Sequence, residues 1–236
     1  GIHSDLRNHH NPERRNVNGF YVLEDRAILI EEPNFRKSDI NEHVPQSLRA
    51  SRFDLYLEGS RAWDDSPLYI WDEWNSYING SAVGVDMVSN GLWNRQWRDG
   101  VAGTVEFTVY AIAVGLAVEA KDPTYFAREP NFLAFLAWNG RRGMDIFREG
   151  QVYEQFAWDR QDAYYERFKN DAEAEPIRDF CRRHFGDAWV QEVIFGEPAD
   201  PRNPRPDPPN DPRPDPPNDP QPDPPNDPQP DPPNDP

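Results

Sequence analysis

Apolar positions come in short runs and alternations over the first sixty residues, and from Pro67 onward they recur at helical spacing. Phe20-Tyr-Val-Leu and Ala27-Ile-Leu-Ile flank the polar Glu24-Asp25-Arg26, which predicts a two-stranded hairpin whose second strand Pro33 ends. Ser38 is placed to N-cap a short helical segment over 39–44 that Pro45 closes. In Arg52-Phe-Asp-Leu-Tyr-Leu-Glu, Phe53, Leu55 and Leu57 alternate, the period of a half-buried strand.

Beyond this the pattern turns helical. Ser66 as N-cap with Pro67 at the first helical position predicts a helix start, and Asn79-Gly80 its stop. Pro67, Trp71, Trp74 and Ile78 share one stripe of that helix, so its tryptophans face the core. The connector 92–100 sets Trp93 and Trp97 four apart, the spacing of a short helical turn. A helix over 101–120 is apolar nearly all round, which makes it central rather than superficial. Asp122-Pro123 restarts a short helix, Pro130-Asn131 starts another, and amphipathic segments follow over 157–169, 176–185 and 188–195. The expected fold is α+β: a small N-terminal antiparallel sheet packed on a mainly helical body. One globular domain is expected over 1–196, mainly strand over 1–60 and mainly helix over 67–196.

Residues 205–236 are four copies of an eight-residue unit, Arg/Gln-Pro-Asp-Pro-Pro-Asn-Asp-Pro, holding 16 of the 26 prolines. Proline fixes φ and removes backbone donors, so 197–236 is expected to be a disordered, extended, polyproline-like tail. At about 3.1 Å per residue the repeats span roughly 100 Å, the length of a stalk or spacer suited to an extracellular or cell-surface protein. Eight Asp against two Arg give this segment −6 of the formal −17, which leaves −11 on the remainder.

That acidity repels phosphate backbones, and the Arg141-Arg142 and Arg182-Arg183 pairs are too short for an electrostatic footprint, so no nucleic-acid partner is expected. The longest apolar run, 109–118, is about half of a bilayer span, so no membrane span is expected. A single cysteine, Cys181, permits no internal disulfide. The chain begins at Gly1 rather than Met, as a processed or excerpted chain does. It shows no Gly-rich phosphate loop and no serine elbow.

Candidate chemistry centres on carboxylates inside apolar surroundings. Glu106 lies early in the apolar helix with Gly103, Tyr110 and Ala113 on its side, where a charge needs a partner or a changed protonation state. The competing structural reading pairs it with Arg95 or Arg98. Glu73 flanks the aromatic stripe between Tyr69 and Tyr77, a setting that raises a carboxyl pKa for general acid work, whereas Asp72 lies on the polar side with Ser76 and Asn79. Two such acids with tryptophans nearby form a loose version of the glycosidase arrangement, one acid and one base or nucleophile, with aromatic faces for sugar rings. Glu106, Glu73 and Asp72 are therefore the catalytic candidates, and Trp93, Trp97, Tyr77 and Tyr110 the substrate-binding ones.

His3, Asp5, His9 and His10 have the residue types of a divalent-metal site, although no helix fixes their spacing; were zinc bound, Glu73 or Glu106 would complete the set. The readings that follow are a secreted or surface hydrolase acting on a glycan, with a polysaccharide or cell-wall component as partner; a non-catalytic binding or structural module on a Pro-rich stalk; and a metal-dependent hydrolase using the histidines.

Overall fold

The computed structural model describes residues 16–23 and 26–198. The repeat segment and the His3, Asp5, His9 and His10 cluster lie outside the described residues.

Strands β1 (Val17–Leu23) and β2 (Arg26–Glu31) pair antiparallel, Phe20 opposite Ile28 and Asn18 opposite Ile30, with an irregularity between Tyr21 and Leu23. Phe20, Val22, Ile28 and Ile30 are fully buried. The Phe20 ring stacks on Phe135 at 4.9 Å and meets Trp71 edge-on at 6.1 Å, so the hairpin closes over the helical body. This is the expected α+β architecture.

Two 3-10 segments follow, Lys37–His43 and Gln46–Leu48. The strand expected around Phe53, Leu55 and Leu57 is instead helical: an α-turn, Ser51–Phe53, widens into a π-turn, Asp54–Glu58, closed by Gly59 N–H on the Asp54 carbonyl at 2.7 Å. Phe53 and Leu57 are buried while Leu55 is 63% exposed, so the operative spacing is i, i+4. Over seven residues both periods fit, and packing chooses between them. Lys37, fully buried, donates to the Tyr56 carbonyl (2.7 Å) and the Ser60 carbonyl (2.8 Å), satisfying the end of this turn.

Helix α1 runs Tyr69–Ser89, nine residues past the expected stop at Asn79-Gly80. Ser81, Gly84, Val85 and Val88 continue its buried stripe, and the Ser81 hydroxyl donates to the Gly100 carbonyl at 2.6 Å. Glu32 accepts the Leu68 N–H at the entry to α1 (3.1 Å), where an anion suits the unpaired amides.

Helix α2 (Ala102–Lys121) is the core helix expected over 101–120. By length and composition it could cross a membrane, yet 89% of its apolar window is buried inside the protein. Its threonines and backbone take up buried polar groups of the neighbouring helix: Trp74 Nε1 donates to the Thr108 hydroxyl (3.1 Å), which donates to the Thr104 carbonyl (2.6 Å), and Trp71 Nε1 donates to the Ala111 carbonyl (3.2 Å). Helices α3 (Pro130–Gly150), α4 (Asp159–Asn170) and α5 (Glu175–Phe185) complete the body with the short helices Tyr125–Arg128 and Asp187–Trp189. The last of these continues as a π-turn, Val190–Phe195, which Gly196 ends in the left-handed conformation.

Candidate functional site

Glu106 meets Arg52, supplied by the α-turn that the sequence pattern made a strand. Arg52 Nη1 lies 2.8 Å from Glu106 Oε1 with the two side chains 8% and 7% exposed, and Nη2 reaches Asp99 at 3.0 Å. The guanidinium also sits over the Tyr77 ring at 5.2 Å. Arg95 and Arg98, the partners expected from the sequence, take no part. Burial pushes the Glu106 carboxyl above its usual range, and Arg52 opposes the shift. Glu106 Oε2 and the Tyr110 hydroxyl are both buried without a hydrogen-bond partner. Tyr110 is fully enclosed, so it faces the core and lines no groove. Burial raises its phenol, as it does that of Tyr164 alongside, which donates to the Leu48 carbonyl at 3.0 Å.

Glu73 is half-buried on the flank of α1, and its carboxylate is tied to Tyr69: burial, then the hydrogen bond to Glu73, push that phenol up. Tyr56 feels the charges of both Glu73 and Arg52, and its hydroxyl lies 3.4 Å from that of Tyr77, which packs under Arg52. Asp72 lies half-buried in the first turn of α1.

Trp93 and Trp97 come together on the opposite half of α1. Their connector forms no helical turn; the rings sit 6.2 Å apart at 51° because Trp93 Nε1 donates to the Arg95 carbonyl (2.8 Å) and the Trp97 N–H to the Gln155 carbonyl (2.7 Å). They wall a cavity of about 400 Å³, with Gln96 as its polar member. The floor is the face of α1 carrying Gly80, Val83, Gly84 and Met87. Gly84 is required there, since a Cβ would stand 2.7 Å from the Trp97 ring, whereas a Cβ on Gly80 would meet nothing within 4 Å. Val83 and Trp97 are 60% and 39% exposed, so the cavity opens to solvent between apolar side chains.

Compared with known family models, curated proteins and solved structures, the chain matches none. Its site must be read from its own geometry.

Trp63 is an aromatic surface that sequence reasoning missed. It is 56% exposed, stacks on Tyr69 at 5.7 Å and 12°, and holds φ +61°, an uncommon value for a bulky residue. Its setting, Trp63-Asp-Asp-Ser-Pro, is the one sequence signal: a tryptophan among turn-forming polar residues, off any apolar stripe. Among the described residues no group of three or more His, Cys, Asp or Glu is arranged to hold a metal ion. Cys181 is fully buried and burial raises its thiol, the reverse of what a nucleophile needs.

Proposed function

We propose that this chain is a non-catalytic binding module, displayed on its Pro-rich segment, whose ligand stacks on Trp93 and Trp97. The observation that carries the reading is the groove, an apolar cavity walled by two tilted indoles and open to solvent. A pocket of this composition gains affinity from desolvating flat apolar faces, and its few polar groups orient the ligand.

The hydrolase reading asks more of the acids than their positions supply. A glycosidase pair needs two carboxyl groups reaching one cleft about 5–10 Å apart. Glu106 instead spends an oxygen on Arg52 inside the core, and Glu73 holds Tyr69. Breaking the Arg52 contact to admit a substrate would leave the Glu106 charge buried and unpaired.

The test is an NMR titration of the full chain, observing the Trp93 and Trp97 indole N–H signals, against cello- and chito-oligosaccharides and proline-rich peptides. At least one ligand class should move both signals, and Gly80→Leu, which fills the floor, should weaken that binding at least tenfold. Glycan turnover that disappears in Glu73→Gln or Glu106→Gln, or a panel that never moves these signals, would overturn the reading.

A further inference from the structure

The chain carries, beside an aromatic groove, a segment with the chemistry such grooves take. We propose that the Trp93/Trp97 groove docks the chain's own acidic proline repeat, 205–236, folded back in cis; this rests on the binding-module reading. Proline-rich segments dock on aromatic-lined grooves because they are stiff before binding and present flat ring faces to an indole. Each unit offers Pro-Asp-Pro-Pro, and four units give four registers. The nearly apolar lining suits proline rings better than sugars, whose many hydroxyls need hydrogen-bond partners where Gln96 alone offers a polar side chain.

Charge selects this occupant further. The repeats hold eight Asp against two Arg, and the groove loop reads Trp93-Asn-Arg95-Gln-Trp97-Arg98. Arg95 and Arg98 are exposed and pair with no carboxylate among the described residues. Arg98 Nε donates to Gln96 Oε1 at 3.2 Å, which sets its guanidinium at the rim. Of the acids nearby, Asp99 pairs with Arg52, while Asp86 accepts from the neutral Asn90 amide at 3.1 Å and keeps its charge. Arg95 and Arg98 thus offer two positive charges on the groove loop, opposite in sign to the repeat.

Reach permits the fold-back. The described residues end at Pro198; at about 3.1 Å per residue, the six residues before the first repeat can span up to about 19 Å and each repeat unit up to about 25 Å more, against a radius of gyration of about 16 Å for a domain this size. A tethered segment has an effective concentration near the millimolar range, so a weak contact fills in cis before a second copy competes.

The test uses the full chain with a nitroxide at Gln221→Cys; Cys181, fully buried, stays unlabelled. The amides of Val83 and Met87 and the Trp93 indole should lose at least half their intensity, independent of protein concentration, while the amide of Ala120, about 30 Å away along α2, keeps its own. Replacing the repeat prolines by serine, or Arg95→Glu with Arg98→Glu, should restore the signals; both leave the core untouched, whereas Trp97→Ala removes packing against Phe156. Uniform broadening, selective broadening that survives both variants, or broadening that grows with concentration would overturn the proposal. If the label has no effect but an oligosaccharide still moves the Trp93 and Trp97 signals, this inference fails and the binding-module reading stands; if nothing moves them, both fail.

Discussion

Arg52 is the reason a glutamate persists inside α2. The two charges are buried together, and removing Arg52 leaves Glu106 without solvent or an ion-pair partner. Arg52→Ala should cost about 3–5 kcal/mol in urea unfolding, while the double change Arg52→Met with Glu106→Leu should cost far less, because a buried pair replaced by apolar groups of similar volume is often neutral. A double change as harmful as the single one would mean that the pair does more than neutralise itself. Asp122 gives the pH counterpart. It accepts from Arg128 at 2.6 Å and from the Asn34 N–H at 3.0 Å, tying the end of α2 to the segment after β2. The Arg128 bond, then the Asn34 N–H, hold its carboxyl below the usual 3.8, against burial. A depressed carboxylate contributes stability above the unfolded value that is lost as pH falls through the folded one. Asp122→Asn should therefore cost about 1–3 kcal/mol at pH 7, with the gap to the natural chain closing below pH 3.8. A gap unchanged at pH 2.5 would rule out this role.

Two glycines show how much an element's neighbours decide. Gly80 lies inside α1 with open space around its Cβ position, so Gly80→Ala should stabilise by about 0.5–1 kcal/mol through lower unfolded-state entropy. Gly115 lies inside α2 where a Cβ would stand 2.4 Å from the Phe180 ring of α5. Gly115→Ala should destabilise by about 1–3 kcal/mol despite the better helix propensity, since overpacking outweighs it. Thermal melts of the two variants should move in opposite directions. The expected stop of α1 failed for the same reason: Asn79-Gly80 has the local chemistry of a helix end, yet Ser81, Val85 and Val88 keep the buried face going.

For the whole molecule, the hairpin and the helices share one hydrophobic core through Phe20, Trp71 and Phe135. Phe20→Ala should then cost about 3–5 kcal/mol and leave tryptophan fluorescence and far-UV circular dichroism unfolding together. Separate transitions would mean that the hairpin is an appendage rather than part of the core. Much of this architecture was legible in the chain. The hairpin follows from two apolar runs around a polar turn, and α2 from a twenty-residue segment that is apolar nearly all round. Trp93 and Trp97 were legible as an aromatic pair outside any stripe, and they do wall the groove, though through loop hydrogen bonds rather than a helical turn. The helical turn at 51–58 was not legible, because seven residues fit either period. Local pattern determined where the hairpin and the long core helix lie, which stripes are buried and that Glu106 needs a partner, since these depend on residues within a few turns of one another. Only the tertiary structure decided that the partner is Arg52, that Tyr110 is sealed in the core and that Gly84 receives Trp97, because each depends on which distant side chain arrives at a shared space.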